Sequence, residues 1–169
     1  MLTVRLLLVA AFAAVLASCG TADLDMPPAF HSSLTKPGAQ LDRAAALAVV
    51  SSFRRSNGLD GLEMDERLNA LAEQQAKAMA TADKLSHELG GRELKGRLRA
   101  ANYRFSAAGE NIAAGQDTLI DVFGAWRASP GHRSVMLDRA ATHFGIAAVS
   151  APHSRYKIFW AMVVARPES

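Results

Sequence analysis

Between Gly109 and Arg133 the chain reads GENIAAGQDTLIDVFGAWRASPGHR, which puts Glu110, Ser129 and His132 in one stretch. Serine, histidine and glutamate are the residue types of a nucleophile, its base and an orienting acid. Imidazole and carboxylate are also the donors of a transition-metal site. The same groups, buried and bonded to one another, would form a polar network that only holds a small domain together. Local sequence gives the hydrolytic reading little support. Ser129-Pro130-Gly131 is an ordinary helix-ending turn, and neither a Gly-x-Ser-x-Gly elbow nor an evident oxyanion hole accompanies it. No short metal signature such as His-Glu-x-x-His is present either. Asn111, beside Glu110, is expected to orient backbone.

The elements that must position these groups follow from periodicity. Leu41, Ala45, Ala48, Ser52 and Phe53 repeat at helical spacing, and Asn57-Gly58 stops that segment as a left-handed cap would. A second helix is predicted from Asp65 as N-cap through Leu68, Leu71, Ala72, Gln75 and Met79 to near Asp83. A loop carrying His87 and Gly90-Gly91 leads to a short amphipathic helix on Leu94, Leu98 and Ala101, ending at Asn102-Tyr103. Leu119, Phe123 and Trp126 mark another helix, which Pro130-Gly131 is expected to end. Phe144–Val149 and Tyr156–Ala165 are rich in β-branched and aromatic residues and read as strands joined by a Ser150–Ser154 hairpin loop. The second strand is apolar on both faces, so helices must cover both sides of its sheet. The fold class is therefore α+β, a three-layer α-β-α sandwich with a mainly antiparallel sheet. Trp126, Phe123, Trp160 and Phe159 are its expected core.

Length and composition allow one domain and some additional sequence. Half of the 169 residues are apolar, and the formal charge of +3 comes with no basic cluster of the kind a nucleic-acid face needs. Arg54-Arg55 and Arg92–Arg99 read as solvated helix faces. At the N-terminus, Arg5 precedes an apolar run, Leu6–Leu16, too short to span a bilayer as a mature helix. The run ends in Leu16-Ala17-Ser18-Cys19, which resembles the bacterial lipoprotein signal, and Cys19 is the sole cysteine. That resemblance implies cleavage before Cys19 and its acylation, where an ordinary signal peptide would leave Cys19 incidental. Gly20 in place of Asp favours the outer membrane of a two-membrane cell. Residues 1–18 are thus expected to be a lipoprotein signal peptide, 19–38, with Pro27, Pro28 and Pro37, a flexible tether, and 39–167 the domain. With one cysteine no intramolecular disulfide is available, and the core must hold the fold.

Four ordered motifs, LSHELGG, NYRFSAAGENIAAG, AWRASPGHR and THFGIAAV, resemble the CAP superfamily (cysteine-rich secretory proteins, antigen 5 and pathogenesis-related proteins; the SCP domain) in its compact bacterial form. The likeness runs over roughly Leu41 to Arg166. It implies the same three-layer sandwich, and a central cleft built from two histidines and two acids. By motif these positions fall on His87, Glu110 and His132, while the fourth, Glu in many eukaryotic members, is Ser129. The resemblance thereby brings together three candidate ligands, His87, Glu110 and His132, for a weakly bound zinc or similar divalent ion. Against this stands a structural network in which Glu110 accepts hydrogen bonds and pins its segment to the helix of Trp126. His31, His143 and His153 are expected at the surface or in packing, with His143 nearest the motif. The expected role is that of an extracytoplasmic binding or interaction module. Its partners would be the bilayer, through Cys19, and a lipid, cell-wall or protein ligand. No nucleic acid is expected, and the protein is expected to be a monomer. A metal-assisted or Ser/His hydrolase of peptide or peptidoglycan bonds is the alternative.

Overall fold

The computed structural model describes residues 27–88 and 91–168. The expected lipoprotein signal peptide and Cys19 lie outside them. After a single 3-10 turn at Pro28–Phe30, the order is α1 (Arg43–Arg55), β1 (Glu63–Met64), α2 (Glu66–Ala82), α3 (Leu94–Ala100), β2 (Phe105–Ala114), α4 (Leu119–Ala128), α5 (Pro130–Met136), β3 (His143–Ala151) and β4 (Lys157–Pro167). The four strands form one sheet in the order β1-β3-β4-β2, with β4 antiparallel to both its neighbours and only the short β1 parallel to β3.

β4 is built by alternation. Ile158, Trp160, Met162 and Val164 enter a core with α1, α4 and α5, through Val50, Val122, Phe123, Trp126 and Met136. Phe159, Ala161, Val163 and Ala165 enter a second core with α2 and α3, through Leu68, Leu71, Met79 and Leu98. The sheet is thus the middle of three layers, as the double apolar face of this strand requires. Asp65 caps α2 by accepting from the amides of Arg67 and Leu68, and Asp83 closes the helix in the left-handed conformation at φ 46°. Asp42 caps α1, and Gly58, at φ 73°, turns the chain after it.

Helix α2 sits unusually close to β3. The Asn69 side chain accepts from the amide of Ile146 at 2.9 Å. A Cβ on Gly145 would fall 2.3 Å from the carbonyl carbon of Leu68 and 2.4 Å from the amide nitrogen of Asn69. Glycine is required there by proximity, not by backbone angle.

Several expectations are corrected. Arg54 is not solvated: it is 1% exposed. Its guanidinium donates to the carbonyls of Asp60, Met136, Asp138 and Ala141 at 2.8 to 3.1 Å, tying α1 to the loop after it and to the segment from the end of α5 to β3. Burial pulls its pKa below the ordinary arginine value, with Asp138 and Asp60 opposing. Pro130 does not only end a helix. Ser129 is at once the C-cap of α4 and the N-cap of α5, and Pro130 opens α5, where its missing amide costs nothing. Part of the expected tether is docked: Phe30 and Leu34 are buried in the first core. Asp117 accepts from Ser33 and from both the amide and hydroxyl of Thr35, and those bonds hold its carboxyl below the usual range. The folded unit therefore reaches back to Pro28.

Two substitutions test this architecture. Gly145→Ala drives a methyl into α2 backbone that cannot yield, so a loss of about 3 kcal/mol or more is expected in urea denaturation. Arg54→Leu orphans four carbonyls and should cost about 4 kcal/mol. A denaturation midpoint within error of the parent for either would refute the packing described.

Candidate functional site

β2 ends the sheet, so its outer edge carries no further strand among the described residues. Both helical layers overhang that edge, and between them lies the cleft. The Glu110 side chain points toward the layer of α2 and α3 and is 3% exposed. Its Oε1 lies 2.9 Å from Nδ1 of His87, in the loop after α2. Its Oε2 accepts from Nη2 of Arg97, on α3, at 2.5 Å. Arg97 is itself only 10% exposed, whereas His87 is 56% exposed. The result is a line from guanidinium to carboxylate to imidazole, buried at one end and open to solvent at the other.

The opposite wall comes from α4 and α5. Trp126, 1% exposed, donates its indole N–H to the carbonyl of Ile112 at 3.2 Å. Asn111, fully buried, donates through Nδ2 to the backbone carbonyl of His132 at 2.9 Å, so its role is to orient backbone. Gly109 lets α5 approach β2, since a Cβ there would meet Val135 at 3.0 Å. Two hollows follow the strand. One, of about 370 Å³, is lined by His87, Glu93, Leu94, Lys95 and Glu110. The other, of about 230 Å³, is mainly apolar and lined by Leu85, Ile112, Trp126, Ser129 and His132 among others.

Burial lowers the pKa of His132, and the charge of His87 across the cleft lowers it further. His132 therefore favours its neutral form, and the two imidazoles line neighbouring hollows along the strand.

The structure thus brings His87 and Glu110 into direct contact and places His132 and Ser129 on the facing wall. As a set of metal ligands, the three candidates do not fit this arrangement. Both oxygens of Glu110 are engaged, one by a permanently charged guanidinium. No three His, Cys, Asp or Glu side chains converge on a common metal position among the described residues. Glu110 instead takes the role of an acceptor that orients His87. The other histidines stand apart: His31 and His153 are exposed, and His143 lies beside Glu63 at the far edge of the sheet. Arg97 was the residue that sequence reasoning missed. It sits in a Lys-Gly-Arg-Leu-Arg run that resembles any solvated helix face, and only the burial of Leu98 beside it fixes which way α3 faces.

A four-stranded sheet between helical layers, with an acid on the edge strand and a histidine from each layer, defines an SCP-type sandwich. Residues 47–164 match CAP, the cysteine-rich secretory protein family, and the chain belongs to that family. Its fold is shared by an outer surface protein of Borrelia burgdorferi, with a TM-score of 0.67 at 19% identity over 78% of this chain and 99% of that one. An extracellular protein of Bacillus anthracis containing an SCP domain gives a TM-score of 0.65 at 25% identity, covering 73% of this chain and 39% of that one. The Bacillus subtilis protein YkwD is 32% identical over 105 residues, 61% of this chain and 40% of its own length. The chain therefore spans well under half of the latter two proteins.

The sign of the His132 shift gives a pH dependence. A histidine whose folded pKa is depressed contributes stability while neutral, above its unfolded value near 6.5, and loses it as pH falls through that value. His132→Gln should therefore lose less stability than the parent protein between pH 7.5 and 5.5 in urea denaturation. Equal losses in the two proteins would show that His132 is not strained by its charged form.

Proposed function

We propose that this protein is a cell-envelope lipoprotein, anchored to the bilayer through acylated Cys19, whose CAP domain works outside the cytoplasm as a binding module. In this reading residues 1–18 are removed as a signal peptide and the folded domain, to residue 167, faces the periplasm or exterior. Two of the proteins that share the fold, an outer surface protein and an extracellular protein, support the location. No helix among the described residues is long and apolar enough to cross a membrane. A lipid anchor gains about 0.8 kcal/mol per buried CH₂, so several acyl chains would hold the domain firmly.

The observation that carries the binding reading is the commitment of Glu110. A Ser-His-acid hydrolase needs its acid behind the histidine that activates the serine. Here Glu110 orients His87, on the wall opposite Ser129. Ser129 makes no cap hydrogen bond with its side chain, and the bond that fixes His132 runs through its backbone carbonyl. The cleft offers a fixed polar end and an apolar end along a strand edge. That pairing suits recognition of a ligand, lipid, cell-wall fragment or protein, better than activation of a nucleophile.

Two measurements test the two halves. Cys19→Ala should abolish palmitate incorporation and release the protein from the membrane fraction; labelling that survives the substitution would refute the anchor. Incubated with purified peptidoglycan fragments, envelope lipids and envelope peptides, the domain should show NMR shifts confined to the β2 edge and no new product. Product formation that disappears in His87→Ala or His132→Ala would replace the binding module with the hydrolase.

A further inference from the structure

We propose that Arg97 is the resident cation of the cleft, a specificity-determining residue that takes the place of a divalent metal at Glu110 and excludes one. The inference concerns what the cleft rejects, and it stands whether or not the groove proves to be a binding surface.

Glu110 is almost fully buried, and a buried carboxylate needs a compensating charge. Two sources are available in such a cleft: a bound cation or a basic side chain. Here the basic side chain is present and close, with Nη2 of Arg97 2.5 Å from Oε2. A guanidinium carries a full positive charge, so Glu110 already has a counter-charge in contact with it. His87 Nδ1 occupies the other oxygen at 2.9 Å. A dication arriving at Glu110 would have to displace one of these partners while sitting beside a fixed positive charge, in a place with little water to screen it.

Arg97 shows a second feature that fits a dedicated role. Its Nε and Nη1 are buried without a hydrogen-bond partner among the described residues. The contact with Glu110 is therefore the one side-chain bond that orients this guanidinium among the described residues. Arg97 lies on α3, whose apolar residue Leu98 is fixed in the core beneath it. Its side chain makes no other hydrogen bond among the described residues that a substitution would break, so its removal is a clean test of the charge.

Zinc alone is the probe, titrated calorimetrically at pH 7.5 into the full chain without a metal-binding tag, each variant first shown to be folded by circular dichroism. The parent protein should bind zinc weakly or not at all. Arg97→Gln, which frees Oε2, should bind at least tenfold more tightly, and the double variant Arg97→Gln/Glu110→Gln should return to the parent affinity. Equal affinity in the parent and Arg97→Gln would overturn the proposal, as would a gain that survives in the double variant. A separate arm keeps it falsifiable if Arg97→Gln does not fold. Glu110→Gln in the parent background should leave zinc affinity unchanged, because Arg97 already denies that carboxylate to the metal. A threefold or greater weakening there would show that Glu110 is a ligand already and that Arg97 excludes nothing.

Discussion

Strand β4 is the constraint on which the other elements depend. From Ile158 to Ala165 every residue is fully buried, in a strand with a neighbour on each side and a helical layer on each face. A strand so placed cannot lie at an edge, and its two sets of side chains cannot be satisfied by one layer. Its alternation fixes α1, α4 and α5 to one side and α2 and α3 to the other. It also fixes which strand is left at the end of the sheet. β2 pairs with β4 along nine register positions, from Phe105 opposite Pro167 to Ala114 opposite Phe159. Its other edge is thereby free of further strands among the described residues. The cleft follows from this arrangement, a helical layer on each side of an edge strand.

That origin explains why the polar groups of the cleft come from such separate parts of the chain. His87 and Arg97 belong to the α2-α3 layer, His132 and Ser129 to the α4-α5 layer, and Glu110 to the strand between them. Short connections join α3 to β2 and β2 to α4, but His87 lies 23 positions before Glu110 and meets it through tertiary packing. The close approaches that allow this depend on small residues at contact points, Gly145 beneath α2 and Gly109 beneath α5. Asn111 and Trp126 then lock the second wall to the backbone of α5 and β2. Buried ion pairs such as Arg97 with Glu110 contribute little net stability, because desolvation offsets attraction. What such a pair does supply is a fixed geometry, here the orientation of His87.

Much of the fold was legible because it rests on local or periodic signals. The two-faced apolar run at 158–165, the Asp65 cap and the spacing of Leu119, Phe123 and Trp126 each state their structure within one element. Strand β2 was not legible in this way. Its sequence, FSAAGENIAA, holds Ile112 as its only β-branched residue, and it is a strand because β4 needs a partner. Helix α5 hid behind Pro130, since the same residue ends one helix and starts another. The charged residues were the hardest. Arg54 is buried because its partners are carbonyls up to 87 positions away, and no window of sequence contains them. The motif resemblance did place His87, Glu110, Ser129 and His132 around one cleft, but it could not say to what Glu110 was bonded.

Arg97 and Ser129 are best understood together. By the motif resemblance many eukaryotic members carry Glu where this chain has Ser129, and a second carboxylate would add negative charge on that wall. With Ser129 in that place Glu110 is the buried carboxylate of the cleft, and a single guanidinium matches its charge. Ser129 has no acidic group to contribute, and Arg97 supplies the single positive charge that Glu110 still needs. On the other wall His132 tends to its neutral form, through burial first and the neighbouring His87 second. The charge of Glu110 is thus met by Arg97 from α3, and the imidazole of His87 is the end of this line that opens to solvent.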